Sequence, residues 1–276
     1  MKRKLAAAVS VLMLLGACGP PEPASAPAAP PASATNAAGS ALPPRFSSAE
    51  LGIRSASEAP AEFAKPFEGG ITVSYKPKGK GLVADCASAL DLQAQGYAAV
   101  YPRDIGALGI LTAKCLALQL VGSAQPARVS YLPAPGEVQA RILEVLPAGL
   151  APAFSATQQA LVSDATRSGR PLSAVEATVA FEAARGDEIY IAGEEWQETL
   201  VVLARADFDG DGKQDWLTRA DLAMRRGTHR VSRLFVLSRT QPDAVIKIAR
   251  ELAPAPAEPQ PQKAPVGSAA TAGPSK

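Results

Sequence analysis

The chain contains a single histidine, His229, so a zinc site built on two imidazoles is excluded. It has only three cysteines, and none of them forms a Cys-x-x-Cys spacing. A Gly-x-Ser-x-Gly elbow, a Ser-x-x-Lys pair and a phosphate-cradling glycine loop are also missing. No recognisable catalytic constellation is left, and we expect a protein that is not an enzyme.

The chain also lacks an excess of either charge, since 28 basic and 26 acidic residues give a net charge of +2. Three of the basic residues, Lys2, Arg3 and Lys4, lie in a segment that has the layout of a removable leader. Without them the net charge falls by three units, from +2 to −1. A near-neutral chain has no electrostatic footprint for nucleic acid, and we expect no nucleic-acid partner.

Proline is concentrated near the two ends of the chain, from Pro20 to Pro44 and from Pro254 to Pro274. Segments of Ala, Pro and Ser cannot bury enough apolar surface to offset the entropy of ordering. We therefore predict a disordered tether at residues 18–48 and a disordered tail at residues 253–276. Between them, residues 49–252 are roughly 200 residues of foldable head, enough for a sizeable core.

Residues 1–17 read as a secretory signal, because a basic start precedes a short apolar stretch and then small residues. The sequence Leu15-Gly16-Ala17-Cys18 resembles the lipobox of bacterial lipoproteins. The resemblance implies that Cys18 is lipidated and becomes the N-terminus, so that several acyl chains anchor the protein to a membrane. An ordinary signal peptide with a chance cysteine is the alternative.

The residues after Cys18 predict the destination of the anchor. In lipoprotein sorting, an Asp directly after the lipidated cysteine favours the inner membrane, whereas this chain has Gly19 followed by Pro20. The resemblance therefore implies the periplasmic leaflet of the outer membrane. We expect a membrane partner through the lipid, and an envelope protein or polymer as a further partner.

Removing Cys18 leaves Cys86 and Cys115, an even pair in an oxidising compartment. Each cysteine falls at helical spacing among leucines, so two packed helices would present the sulfurs to each other. The spacings are Leu82, Cys86 and Leu90, and then Leu108, Leu111, Cys115 and Leu118. A disulfide is the economical interpretation, and a redox or metal pair is the alternative.

The two halves of the head differ in their hydrophobic period, which predicts an α+β fold with a helical or mixed first half. In the first half we expect strands at residues 70–76 and 128–132, and helices at residues 135–146 and from Ser155, where Gln158 completes a capping box. From about residue 172 onward the period is alternating, and short connections favour an antiparallel β-meander. Its predicted strands are residues 175–181, 189–191, 196–206, 216–224, 230–237 and 244–248.

Residues 207–215 read Asp-Phe-Asp-Gly-Asp-Gly-Lys-Gln-Asp, between two predicted strands. Carboxylates at positions one, three, five and nine, with glycine at six, suit a hard cation bound by oxygen ligands. The candidate ligands are the side chains of Asp207, Asp209, Asp211 and Asp215 and the main-chain carbonyl of Lys213. Position twelve is Thr218 rather than a bidentate Glu, and the flanks are strands, so the segment is not an EF-hand.

This segment resembles the Asp-x-Asp-Gly-Asp-Gly-x-x-Asp calcium loops of the FG-GAP, integrin-like repeat family, where the loop also joins two strands. The resemblance implies calcium in a structural role. The loop occurs once and lacks the surrounding Phe-Gly and Gly-Ala-Pro signatures, so a multi-bladed propeller is not supported. An Asp/Gly hairpin that keeps its shape without metal is the alternative.

The function that best fits these features is a binding or envelope-maintenance role for an anchored head domain. The alternative is a cell-wall polymer hydrolase, for which Glu194 and Glu195 beside Trp196 are the candidate carboxylates. Two further surfaces stay open at this point. One is the pair Trp196 and Trp216, which is either a ligand-stacking surface or part of the core. The other is either an anion-binding patch or a solvated face, and it consists of Arg225, Arg226, Arg230 and Arg233.

Overall fold

The computed structural model describes residues 40–76 and 78–254. The predicted signal peptide, the lipidated Cys18 and most of the tether lie outside the described residues, as does the tail from residue 255. The strands are β1 (Arg45–Phe46), β2 (Ile71–Tyr75), β3 (Gly79–Val83), β4 (Ala98–Ala99), β5 (Ala180–Arg185), β6 (Glu188–Ala192), β7 (Trp196–Ala206), β8 (Asp215–Met224), β9 (Arg230–Ser238) and β10 (Lys247–Leu252). The helices are α1 (Ser48–Leu51), α2 (Ala59–Phe63), α3 (Cys86–Ala94), α4 (Ile105–Val121) and α5 (Ala156–Arg167).

The second half of the chain forms an antiparallel meander in the order β10-β9-β8-β7-β6-β5. β7 is longer than its neighbour β6, and β1 pairs with its free end at Arg205 and Ala204. A separate small sheet has the order β3-β2-β4 and belongs to the mixed first half. The predicted α+β class with a strand-rich second half is confirmed.

The large sheet is covered on both faces, so each of its central strands buries both sets of alternating side chains. Leu217 of β8 belongs to a core with the helices of the first half, whereas Trp216 and Ala220 belong to a second core on the opposite face. That second core is closed by α5 and by the segment at residues 132–172. Gly109 allows α4 to approach β9 closely, since a Cβ there would lie 3.2 Å from the Ser232 side chain.

Helix starts are set by local hydrogen bonds that the sequence already contains. Ser155 caps α5 by accepting from the Gln158 N–H at 3.2 Å, as predicted. Asp85 caps α3 in the same way, accepting from the Ser88 N–H at 2.7 Å. The Ser88 hydroxyl accepts in return from the Asp85 N–H, which completes a capping box. These bonds satisfy N–H groups that have no partner inside the helix.

Three elements differ from the sequence-based expectation. Leu82 lies on β3 and is 56% exposed, so the helix with Cys86 begins at Cys86 itself and the pattern from Leu82 was coincidental. Residues 128–132 form no strand and contribute one isolated bridge, between Val129 and Lys213. Residues 135–146 form two short 3-10 turns rather than one helix, because the chain wraps over the sheet there.

Three boundaries also move. β10 occupies Lys247–Leu252, three residues later than the start of the predicted strand at residues 244–248. β5 begins at Ala180, five residues after the predicted start at residue 175. The strand-rich part was expected from about residue 172, but residues 172–174 form a 3-10 turn. The head begins before residue 49, because Leu42 pairs with Ala127 and β1 pairs with β7. The last residues of the predicted tether are therefore part of the folded head, held by backbone hydrogen bonds that composition does not reveal.

Within the described residues, the helical stretch Pro102–Val121 is long and apolar enough to cross a membrane by length and composition. Half of the most apolar 18-residue stretch of this helix is buried inside the fold. The helix packs against α2, α3 and β9, and this core position accounts for its composition.

Candidate metal centre

The aspartate loop connects β7 to β8 and turns back within eight residues, 207–214. Gly210 and Gly212 adopt left-handed backbone angles, with φ of 84° and 80°, which favour glycine on steric grounds. The glycines thus let the chain fold around the first aspartate. Both carboxylate oxygens of Asp207 accept backbone N–H groups, from Gly210 at 2.6 Å and from Gly212 at 2.7 Å.

Three of the predicted ligands converge. Carboxylate oxygens of Asp207, Asp209 and Asp215 lie within 4.8 Å of one another, and this group could hold a metal ion. Asp207 and Asp215 are buried, whereas Asp209 is exposed at the mouth. Carboxylates this close repel one another unless a proton or a cation lies between them.

Asp215 shows that the residues fit a cation. One carboxylate oxygen accepts from the Phe208 N–H at 3.0 Å, but the other, Oδ1, is buried without a hydrogen-bond partner among the described residues. Burial raises the pKa of Asp215 to about 6, and the Phe208 N–H and the nearby Ser238 hydroxyl offset only part of that rise. A buried carboxylate oxygen without a donor is a costly feature that a bound cation would relieve.

The structure does not bring Asp211 into this group. Its Oδ1 accepts from the Lys213 N–H at 2.7 Å, and its Oδ2 forms an ion pair with Lys213 Nζ at 2.6 Å. Burial of the Asp211 carboxyl is outweighed by these bonds from Lys213, and the pKa of Asp211 is lowered. The main-chain carbonyl of Lys213 stays a predicted ligand.

The loop is held in place by a segment that the sequence did not connect with it. Asp207 exchanges both backbone hydrogen bonds with Gln125, and the Arg128 N–H donates to the Gly212 carbonyl at 2.7 Å. The Gln214 N–H donates in turn to the carbonyl of Val129. These partners lie about eighty residues earlier in the chain, so no local pattern could have identified them.

The predicted disulfide is confirmed. Cys86 and Cys115 are bonded, with their Cα atoms 5.2 Å apart, and the bond joins the first residue of α3 to the middle of α4. Both side chains are fully buried in the helical core. The bond is therefore part of the scaffold and not an exposed redox pair.

The structure also places the tryptophan pair and Arg233, which the sequence left undecided. Trp196 and Trp216 are both core residues, 2% and 0% exposed, and do not form a stacking surface. Arg233 does not lie on a solvated face, because it faces a buried carboxylate, Glu198, at 3.8 Å. The sequence reasoning missed Glu198, and only its place on the same strand face as Trp196, Leu200 and Val202 could have drawn attention to it.

No protein-family model matches the chain, and no curated protein or solved structure matches it either. The function therefore has to be inferred from the residues and the geometry of the chain itself.

Proposed function

We propose that this chain is a bacterial lipoprotein, anchored through Cys18 in the periplasmic leaflet of the outer membrane, whose head binds calcium and serves a binding or envelope-maintenance role. The lipobox at residues 15–18 and the Ala/Pro tether support the anchored location. The observation that carries the calcium proposal is the buried Asp215 oxygen without a donor, beside two further carboxylates.

Calcium is the proposed cation because the donor set is made only of oxygen. Carboxylates suit hard cations such as calcium, whereas soft ions prefer thiolate and imidazole ligands. Asp207 and Asp209 stand at positions one and three of the loop, in agreement with the FG-GAP-like pattern. When bound, the ion supplies positive charge that neutralises the three carboxylates, so its proposed role is structural.

The hydrolase alternative would rest on Glu194 and Glu195. Both are exposed in the turn between β6 and β7, and nothing in the described residues arranges them about a shared cleft. Binding is therefore the function that we propose.

The test is a thermal melt of the full chain in detergent, in chelator and in millimolar calcium. A ligand that binds only the native state raises its stability, by about 2.7 kcal/mol at a hundredfold excess over Kd. For a head of this size we expect the midpoint to rise by about 5 to 10 °C. Magnesium at the same concentration is the comparison, and an equal shift would retain the cation site but contradict calcium.

Three variants separate the cluster from its surroundings. Asp209→Asn changes an exposed member of the cluster and should abolish the calcium shift. Asp211→Asn changes a loop carboxylate that pairs with Lys213, and Asp243→Asn changes an exposed carboxylate in another turn. Both should retain the shift. If the natural chain shows no shift in calcium, the loop is only a turn and the calcium proposal is wrong.

A further inference from the structure

A cleft of about 750 Å³ lies between α5 and the face of the sheet that carries the second core. It is at the end of β8 away from the aspartate loop, next to the β8–β9 turn. Its volume falls in the range of about 300 to 1,000 Å³ that is usual for small-ligand sites. The lining comes from the segment before α5, from α5 itself and from β8, β9 and β10.

The walls of the cleft expose apolar side chains that the fold does not cover. Phe154 is 46% exposed and packs edge to face on His229, with the ring centroids 6.3 Å apart. Val231 is 36% exposed, and Leu222 and Val162 line the interior beside it. An aromatic ring at the mouth of a cleft with aliphatic walls suits an apolar side chain.

Arg233 provides a positive charge inside the cleft. Its guanidinium donates to the carbonyls of Gly149 and Leu150, at 3.3 and 2.8 Å, which accounts for two of its five N–H donors. Glu198 lies 3.8 Å away, too far for a hydrogen bond, and has no exposed surface from which to reach a ligand. The remaining donors of Arg233 suit a carboxylate.

Glu251 provides a negative charge in the same cleft. It is opposite Phe235 in the β9–β10 register and therefore diagonal to Arg233, at about 7 to 8 Å between Cα atoms. No ion pair joins Glu251 to Arg233 within the part of the chain that the structure describes. Gln159 and Ser163 add an amide and a hydroxyl on the α5 wall.

We propose that this cleft binds a short zwitterionic peptide with an apolar side chain, its carboxylate at Arg233 and its ammonium group at Glu251. A plain acyl chain would leave Glu251, Gln159 and Ser163 without a role, whereas a peptide uses the two charges and offers amide groups to the polar wall. The cleft shares no residue with the aspartate loop, so this proposal gives the binding role a ligand class without resting on calcium.

The experiment is calorimetric titration of the full chain in detergent with the dipeptide Ala-Leu and two capped forms. Acetylation removes the ammonium charge and amidation removes the carboxylate, with the side chains unchanged. We expect Ala-Leu to bind and each capped form to bind about tenfold more weakly or worse, because each loses one charged hydrogen bond. No saturable binding of Ala-Leu, or equal binding of all three, would overturn the proposal.

Variants assign each contact. Arg233→Gln should remove the preference for a free carboxylate, and Glu251→Gln should remove the preference for a free amine, each with the other preference retained. Glu251 is exposed, so that variant stays informative even if Arg233→Gln fails to fold. If Glu251→Gln leaves the acetylated peptide as disfavoured as before, the assigned contact is wrong.

A matched pair on the cleft wall completes the test. Phe154→Ala removes the aromatic ring at the mouth and should weaken Ala-Leu binding several-fold. Leu161→Ala removes a similarly exposed side chain, 45% exposed, from α5 outside the cleft lining. It should leave binding unchanged, and an equal loss in both variants would contradict a site in this cleft.

Discussion

Glu198 is the most unusual residue of the described fold. Its side chain is fully buried on β7, and neither carboxylate oxygen has a hydrogen-bond partner among the described residues. Burial raises the pKa of Glu198 to about 7, although Arg233 lowers it, and Asp221 adds a further rise. The carboxyl is therefore neutral through the acidic range and above it becomes a buried charge without a hydrogen bond, opposed only by Arg233 at 3.8 Å.

This residue predicts a specific pH dependence of stability. The folded state keeps the Glu198 proton up to about pH 7, whereas the unfolded chain loses it near the ordinary glutamate pKa of 4.5. The folded state binds more protons between these values, so the contribution of Glu198 to stability falls as the pH rises through that window. Glu198→Gln should be more stable than the natural chain at about pH 8, by on the order of 2 to 3 kcal/mol.

The measurement is urea unfolding of both chains from about pH 4 to pH 8, where the gain should disappear at the acidic end. Glu195→Gln is the matched control, because Glu195 is exposed in the turn just before β7. A gain for Glu198→Gln that stays constant across the pH range would contradict the proposed titration.

At the scale of elements, the disulfide joins α3, which packs on α4 and β3, to α4, which packs on β9 of the large sheet. Cys86 and Cys115 are separated by 29 positions in the sequence, and both side chains lie in the helical core. A crosslink of this length restricts the unfolded chain more than the folded one.

Replacing Cys86 and Cys115 together by alanine should lower the free energy of unfolding by about 3 to 4 kcal/mol. Urea unfolding measures the loss, and the natural chain unfolded in reductant should show a similar one. An unchanged urea midpoint in both experiments would show that packing of the helices, rather than the covalent bond, holds this part of the fold.

At the scale of the whole molecule, the predicted tether covers residues 18–48, of which residues 40–48 are described and pair with the head through β1. Such an Ala/Pro-rich segment predicts an extended connection between a lipid anchor and the head. The apolar stretch Pro102–Val121 is half buried in the fold as a core helix, and membrane attachment through a lipid on Cys18 stays a proposal.

Cys18→Ser should move the protein from the membrane fraction to the soluble periplasmic fraction and abolish labelling with palmitate. The thermal midpoint of the head should not change, because the described cores are built from residues 46–252. The double Cys86→Ala, Cys115→Ala variant is the control and should remain lipidated. A Cys18→Ser protein that still carries palmitate and partitions into detergent would refute the lipoprotein proposal.

The sequence by itself determined the features that depend on neighbours along the chain. Alternating side chains predicted β7, β8 and β9 almost to the residue, and the Ser155 cap predicted the start of α5. The aspartate loop was recognised as a candidate metal site because its carboxylates lie within nine residues. The cysteine count indicated the Cys86–Cys115 bond, since setting aside the predicted lipidation site Cys18 leaves only one possible pair.

The tertiary structure alone decided the features that need partners far along the chain. Leu82 became a strand residue because β2 pairs with β3, and residues 128–146 lost their predicted elements because they wrap over the sheet and hold the loop. Glu198 and Arg233 meet only through the register of β7, β8 and β9. Burial and charge pairing arise from packing between residues far apart in the sequence, and the local hydrophobic period does not predict which residues will meet.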